Sequence, residues 1–277
     1  MEKSRWALIL GASSGFGEAT ALELARLGHS IFGVHLDRRA GLAHVEEITG
    51  QIRAAGREAV FFNANAADAA KRKEVIGRIQ EEFQKKPGTV GVLLHSLAFG
   101  TLLPFVGDPS TSLRTGPSAG SGLSKNLVTQ PQMEMTADVM GHSLVYWVQE
   151  LVENGLMESG GRVFAMTSSG GTRVLPHYGP VSAAKAILES HIRQLSLELA
   201  PKGITANAIR AGVTDTPALR KIPGHETLIA SALQHNPHGR LTTPQDVAAA
   251  IGLLSHPNAY WISGNVIGVD GGEDIVG

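Results

Sequence analysis

The amino-acid sequence predicts an α/β fold in which helices cover both faces of a parallel sheet. Short apolar runs alternate with segments whose apolar residues recur at helical spacing, and this alternation is typical of parallel strands joined by crossover helices. A glycine-rich turn, Gly11 to Gly17, joins the first apolar run to the first helical segment. The 277 residues contain no internal repeat and no change of composition. One domain is therefore expected over residues 1–277.

The predicted elements follow one another in order along the chain. Apolar runs predict seven strands, namely Arg5–Leu10, Ile31–Leu36, Ala59–Phe62, Val90–His95, Arg162–Met166, Ile204–Ala208 and Asn265–Val269. Helical spacing predicts helices between them, namely Glu18–Leu27, Ala43–Ala55, Lys71–Phe83, Ala137–Met157, Ser182–Leu199 and Gln245–Leu254. Residues 108–132 break this rhythm because they are rich in Gly, Ser, Pro and Thr. This segment is interpreted either as a tolerated surface insertion or as a mobile lid or subunit contact.

Composition argues against several classes of function. The 24 basic and 25 acidic residues leave no excess charge that would attract nucleic acid or an anionic membrane surface. No apolar run is long enough to span a bilayer, and the absence of cysteine excludes disulfides and thiolate chemistry. The first residues run into a strand instead of a signal peptide, which predicts a cytoplasmic location. His95 has no partner at metal-ligand spacing and is interpreted as structural, so no metal site is predicted.

The glycine turn predicts a phosphate-binding site. Glycines let the backbone approach a pyrophosphate closely, and the following helix offers free N–H groups and the positive end of its dipole. The spacing G-x-x-x-G-x-G differs from the general dinucleotide fingerprint, but its position between a strand and a helix is the expected one. The predicted nucleotide contacts are Gly11, Ser13, Ser14, Gly15, Phe16 and Gly17.

The choice between NADPH and NADH depends on the residues that follow the second strand. Asp37 could accept hydrogen bonds from free ribose hydroxyls, whereas Arg38 and Arg39 could pair with a 2′-phosphate. Asp37 lies about two residues later than expected for a ribose carboxylate, so NADPH is favoured and NADH remains an alternative. A solvated helix start is the competing interpretation of the two arginines.

Three segments together carry a family resemblance. With the glycine turn, the stretch Ser168–Lys185 and the ending Gly264–Gly272, the chain resembles the short-chain dehydrogenase/reductase family. It is most similar to divergent enoyl-acyl-carrier-protein reductases of type III, because six residues separate Tyr178 from Lys185 and the fourth strand ends His-Ser-Leu-Ala-Phe. The resemblance implies a Rossmann-type doubly wound sheet in the order 3-2-1-4-5-6-7. It also implies assembly as a homotetramer or homodimer.

The resemblance can be followed residue by residue around the lysine. Ordinary members carry a catalytic serine seventeen residues before the lysine, and Ser168 stands there. Their tyrosine position is Val181, so the tyrosine has moved back by three residues to Tyr178. The asparagine that ordinary members use in a proton relay corresponds to Met140. An enoyl reductase may dispense with this relay, whereas a carbonyl reductase would need a replacement.

The resemblance also implies roles for the site residues. Tyr178 would hydrogen-bond the oxygen of an enoyl thioester, and Lys185 would hold the nicotinamide ribose. Ser168 would contact substrate or cofactor, or alternatively cap its strand. The remaining cofactor contacts would be Asn65, Ala66, Ser96, Leu97, Ala98, Val213 and Thr216. Residues 217–236 would form a substrate lid, whose apolar side chains suit either an acyl chain or a subunit core.

Three functions are therefore carried forward. The first is NADPH-dependent reduction of a 2-enoyl thioester on acyl carrier protein or coenzyme A, as in fatty acid biosynthesis. The second is a carbonyl or 3-ketoacyl reductase, or an alcohol dehydrogenase, of the same family. The third is a protein that binds NADP(H) without turnover. The presence of both Tyr178 and Lys185 argues against the third.

Overall fold

A computed structural model describes residues 3–107 and 127–276. One parallel sheet is formed by seven strands: β1 (Ser4–Leu10), β2 (Ser30–His35), β3 (Ala59–Asn63), β4 (Gly88–His95), β5 (Arg162–Ser168), β6 (Thr205–Ala211) and β7 (Val266–Val269). Their spatial order is β3-β2-β1-β4-β5-β6-β7, so the predicted sheet order is confirmed. Every pair of neighbouring strands is parallel.

Helices cover both faces of this sheet, as predicted. The α-helices are α1 (Gly15–Arg26), α2 (Leu42–Ala54), α3 (Ala69–Lys85), α4 (Gln130–Ala137), α5 (Ser143–Glu153), α6 (Gly179–Leu199), α7 (His225–His235) and α8 (Pro244–Leu254). Side chains alternate along β1, so Leu8 and Leu10 pack with α3, α5 and α6, whereas Ala7 and Ile9 pack with α1, α2 and α8. The sheet is therefore buried on both faces.

The prediction of a single helix over Ala137–Met157 is wrong about where the helix begins and ends. A helix already begins at Gln130, where Thr129 and Gln132 form a capping box and a proline occupies the first turn. A π-helix over Asp138–His142 separates α4 from α5. Residues 130–132 of the predicted 108–132 loop are thus helical, and its residues 108–126 lie outside the described part of the chain.

Parallel strands bring their carboxyl ends to one edge, and this edge carries the candidate site. The glycine turn follows β1, Ser96 follows β4, the Tyr178 loop follows β5, and Gly212 follows β6. The predicted lid, 217–236, contains a short 3-10 turn at Leu219–Lys221 and then α7. Among the described residues, no helix combines the length and the apolar character that crossing a membrane requires.

Candidate active site

The glycine turn leaves the amino end of α1 open to a ligand. Ser14 is the residue before the helix, has an extended backbone, and makes no capping hydrogen bond with its side chain. The N–H groups of the first helical turn have no partner inside a helix, so they are available to an anion. Ser13 is half-buried and Ser14 is exposed beside them. Phe16 packs instead against the core on the α1 face.

Two glycines of the turn are required by close contacts between backbone segments. A Cβ on Gly17 would lie 2.0 Å from the carbonyl oxygen of Gly11. A Cβ on Gly11, which has φ +89°, would lie 2.3 Å from the carbonyl oxygen of Ser96. Gly15 faces Thr216, whose methyl carbon would be 3.5 Å from an added Cβ. The structure therefore brings together five residues that the sequence predicted as cofactor contacts, and this backbone cradle fits a pyrophosphate.

After β2, the Asp37 carboxylate contacts another side chain, whereas Arg38 and Arg39 are exposed. The Asp37 carboxylate lies 2.9 Å from the ring nitrogen Nδ1 of buried His35. Its backbone is fixed by Asn63, which accepts the Asp37 N–H at 3.1 Å and donates to the Asp37 carbonyl at 2.9 Å. Arg38 and Arg39 are exposed, and neither forms an ion pair within residues 3–107 and 127–276. The guanidinium groups are thus free to receive a phosphate.

The residues predicted to contact adenine lie just beyond β3. Asn65 is exposed, and its side-chain oxygen accepts the N–H of Ala67 at 3.0 Å. This bond orients the Asn65 amide while leaving its nitrogen available to a base. Ala66 is buried, and its carbonyl accepts the Trp147 indole N–H at 2.8 Å. Beyond the end of β4, Leu97 is half-buried and Ala98 is exposed.

Tyr178 is held at the amino end of α6 by an unusual loop. His177, immediately before it, has φ +62°, a left-handed conformation that favours glycine. The Tyr178 ring packs so closely on Gly170 that a Cβ there would lie 2.5 Å from it. Burial raises the pKa of the Tyr178 phenol, and hydrogen bonding by the Ser168 hydroxyl lowers it by a smaller amount. The phenol therefore stays protonated and able to donate at neutral pH.

Lys185 lies on α6 and is buried. Its Nζ donates to the Met166 carbonyl of β5 at 2.6 Å, which leaves two further donors on the ammonium group. Burial lowers the pKa of Lys185 to about 8, and the Glu189 carboxylate opposes this change. Glu189 also accepts the Thr167 hydroxyl at 2.6 Å. The ammonium group therefore loses its charge at a pH not far above neutral.

Ser168 and His95 occupy different environments near this lysine. The Ser168 hydroxyl accepts the Gly170 N–H at 3.1 Å, so it caps the short turn after β5 while remaining beside Tyr178. His95 is fully buried, and burial together with the Lys185 charge lowers its pKa to about 3. Its Nε2 lies 2.8 Å from the Ser143 hydroxyl, which in turn donates to the Val139 carbonyl at 2.8 Å. These are contacts of a structural histidine.

An apolar cluster packs around the Tyr178 side chain. Tyr178, Met140, Val181 and Ala184 form its buried part, against which pack the partly buried residues Leu102, Val139, Leu175 and Ile222. Val181 and Met140, which the resemblance aligned with a tyrosine and an asparagine, contribute only apolar surface. Ile222 belongs to the predicted lid, so one residue of that segment contacts the cluster.

The segment after β6 contacts the residues that follow β7. Val213 donates its N–H to both oxygens of Glu273, at 3.1 and 3.2 Å. The hydroxyl of buried Thr216 accepts the Leu219 N–H at 3.2 Å while its methyl group faces Gly15. The sequence analysis missed Glu273 because nothing near Val213 in the sequence indicates this contact. It also missed Gly170, although the run SSGG was visible.

The chain is similar to several known proteins. Residues 118–273 match the family profile described as enoyl-(acyl carrier protein) reductase. The 1-cyclohexenylcarbonyl-CoA reductase of Streptomyces collinus is 29% identical over 277 residues, 99% of this chain and 89% of that protein. The 3-oxoacyl-(acyl-carrier-protein) reductase of Pseudomonas aeruginosa is 26% identical over 96% of each chain. The crystal structure of enoyl-(acyl-carrier-protein) reductase (NADH) from Aquifex aeolicus has a TM-score of 0.79 and 25% identity, with 100% of this chain and 98% of that chain covered.

Proposed function

Because the chain belongs to the short-chain dehydrogenase/reductase family, in its enoyl-reductase-like group, we propose that it reduces the 2,3 double bond of an enoyl thioester with NADPH. The acyl group would be carried on acyl carrier protein or coenzyme A. The observation that carries the proposal is the apolar cluster around Tyr178. In this cluster a protonated phenol packs beside Val181 and Met140, and the Ser168 hydroxyl lies next to it.

Reduction of a conjugated thioester places few demands on the protein. The reduced nicotinamide, when bound, supplies a hydride to the β-carbon. Electrons then move from the double bond to the thioester oxygen, and Tyr178 donates a hydrogen bond to the oxygen on which this charge develops. The α-carbon then takes a proton from the phenol or from solvent. An apolar surrounding strengthens this hydrogen bond because it excludes water.

Lys185 places the cofactor and supplies positive charge. Two of its three ammonium donors remain after the bond to Met166, and they would hold the ribose hydroxyls. Its charge also stabilises the anionic oxygen while the ammonium group is protonated. Ser168 would orient the phenol.

The preference for NADPH is supported by the residues after β2. His35 engages the Asp37 carboxylate, which draws the candidate ribose acceptor toward the strand end. Arg38 and Arg39 are exposed and would pair with a 2′-phosphate. If so, Arg38→Ala together with Arg39→Ala should raise the KM for NADPH by at least tenfold and leave the KM for NADH nearly unchanged.

A second candidate is reduction of a ketone at the same site. It is favoured by the similarity to the 3-oxoacyl-(acyl-carrier-protein) reductase, which covers 96% of both chains. The absence of a polar side chain at Met140 argues against it, because the proton relay of ordinary relatives would lack one member.

The test compares substrates and cofactors in one assay. Purified protein is mixed with NADPH or NADH and with crotonyl-CoA, acetoacetyl-CoA or their acyl-carrier-protein forms, and oxidation of the cofactor is followed by absorbance. We expect turnover with the enoyl thioester and NADPH. Turnover with only the 3-keto substrate would overturn the proposal, and cofactor binding without turnover of any substrate would favour a binding protein.

A further inference from the structure

The segment after β7 returns across the carboxyl edge of the sheet. Gly271 and Gly272 both have positive φ, +63° and +86°, so the chain reverses direction within two residues. A short 3-10 turn over Glu273–Ile275 follows. The Asp270 side chain fixes this reversal by accepting the Gly272 N–H at 2.9 Å. Glu273 and Asp274 are thereby delivered to the loops that follow β5 and β6.

Asp274 holds the loop that leads to Tyr178. Arg173, in the middle of that loop, donates from Nη2 to the Asp274 carbonyl oxygen at 2.7 Å and pairs with its carboxylate at 2.9 Å. The other carboxylate oxygen lies 2.9 Å from Nη2 of Arg210, on β6. Asp274 therefore bridges two arginines from different segments. The Asp274 side chain is 19% exposed and that of Arg210 is 27% exposed, so solvent screens this pair less than an ordinary surface pair, whereas the Arg173 side chain is 55% exposed.

Glu273 holds the other loop. Both of its carboxylate oxygens accept the Val213 N–H. The preceding residue, Gly212, leaves the space this requires, because a Cβ there would lie 2.9 Å from a Glu273 oxygen. Two consecutive acidic residues thus contact the loop that carries Tyr178 and the segment predicted to meet the nicotinamide.

We propose that Glu273 and Asp274 are positioning residues that set the distance between Tyr178 and the bound nicotinamide. This inference rests on the proposed function for its effect on catalysis, although the contacts themselves do not. Hydride transfer depends on alignment, and a displacement of about 1 Å can cost about a hundredfold in rate. Neither residue touches the reacting atoms, so each acts through the loop that it holds.

The kinetic test uses a double-mutant cycle between Arg173 and Asp274. Asp274→Ala and Arg173→Ala should each lower kcat by roughly 10- to 100-fold, with a much smaller change in the KM for the thioester. The double variant should be little worse than Asp274→Ala alone, because that substitution already removes the contact with Arg173. Arg173→Lys should restore part of the loss. Deuterated NADPH should show a larger isotope effect on kcat in the alanine variants, since poor alignment slows the hydride step itself.

The matched control removes another carboxylate that makes an ion pair. Glu58 pairs with Lys86 at 2.7 Å, and both lie next to the amino ends of strands, away from the site. Glu58→Ala should leave kcat and the isotope effect unchanged. If Asp274→Ala fails to fold, Asp274→Asn removes the charge with little change of shape and replaces it in the cycle.

A second measurement does not depend on turnover. Hydrogen–deuterium exchange should accelerate in peptides covering 169–178 when Asp274 is replaced by alanine, and at Val213 when Glu273 is replaced by alanine. Peptides covering the glycine turn should not change. If no thioester is reduced by the wild-type protein, the proposed function fails while this measurement still decides the inference. Unchanged exchange in both variants, or a kcat within twofold of wild type for Asp274→Ala, would overturn it.

Discussion

The two halves of the candidate active site are held together by different means. Around the glycine turn, backbone packs directly on backbone, and a Cβ at Gly17 or Gly11 would collide with a carbonyl oxygen. Around Tyr178, side chains hold the loop, and Arg173 reaches Asp274 across 101 residues of sequence. The first half therefore depends on close backbone contacts, including one between Gly11 and the distant Ser96, and leaves no room for a Cβ at Gly11 or Gly17. The second half depends on separable long-range contacts, so single substitutions can adjust it.

The largest effect should come from the reacting group of the Tyr178 half. Tyr178→Phe removes the hydrogen bond to the developing anion, and we expect kcat to fall by about 10²- to 10³-fold. NADPH affinity, measured by fluorescence titration, should remain within about twofold, because the glycine turn is intact. Tyr260→Phe, at a residue that is 63% exposed, serves as the control and should change neither quantity. A Tyr178→Phe variant with normal turnover would remove the phenol from the mechanism.

The next largest effect is a dependence of stability on pH, which comes from Lys185 in the Tyr178 half of the site. The pKa of Lys185 is about 8 in the folded protein and 10.5 in the unfolded chain, so between these values the unfolded state binds more protons. The free energy of unfolding then rises with pH through this window, by about 3 kcal/mol from this group. Lys185→Met should abolish that rise, and urea unfolding at pH 7 and pH 10 measures it. Parallel pH dependences for the variant and the wild type would contradict this expectation.

The same ammonium group predicts the pH dependence of activity. If a charged Lys185 is required, kcat/KM should decline as pH rises through about 8, the pKa set by burial. Stability and activity should thus change in opposite directions over the same window. A profile of kcat/KM that stays flat to pH 9.5 would show that the charge is not needed.

A smaller effect should appear in the glycine half. Gly17→Ala should lower the free energy of unfolding by about 1–3 kcal/mol, because the added methyl group overpacks a rigid contact, and it should weaken NADPH binding. Gly50→Ala is the matched control, because Gly50 lies inside α2 with no atom within 4 Å of an added Cβ. That control should raise stability by about 0.5–1 kcal/mol. Equal melting temperatures for the two variants would show that the backbone around Gly17 can move to accommodate a methyl group.

The smallest effect concerns the loop before the phenol. His177→Gly should relieve a left-handed conformation that costs about 1 kcal/mol, but it also frees the unfolded chain, so the net change in stability should stay below about 1 kcal/mol. His177→Val should be clearly destabilising by comparison, because a β-branched side chain tolerates positive φ poorly. Thermal melts of the two variants provide the comparison. A more stable valine variant would show that the loop adopts another conformation in solution.

The sequence predicts the fold well because its signals are local. Each strand lies within two residues of the predicted bounds at most ends, and the sheet order implied by the resemblance is confirmed. The glycine turn could also be placed, since a strand, a turn and a helix follow one another without interruption. The sequence could therefore predict the position of the glycine turn, but not the contact of Gly11 with Ser96.

The rest of the site could not be predicted, because it depends on contacts between distant segments or on features that leave no pattern in the sequence. The contacts of Asp274 with Arg173 and Arg210 join segments far apart in the chain, and charged residues at these positions carry no periodic signal. The break in the helix at Asp138 interrupts no apolar pattern, so periodicity alone predicts a continuous helix. The roles of Tyr178, Lys185 and Ser168 remain predictions that the kinetic experiments decide.

The π-helix over Asp138–His142 lets this segment hold one more residue than an α-helix would. Its hydrogen bonds close over one more residue than those of an α-helix, so an additional residue is accommodated without rotating the helices on either side. Thr136 on α4 can therefore keep accepting the Thr101 N–H at 3.0 Å, while α5 keeps Trp147 in the core. The segment that carries Met140 can thus hold an additional residue while the helices on either side keep their contacts.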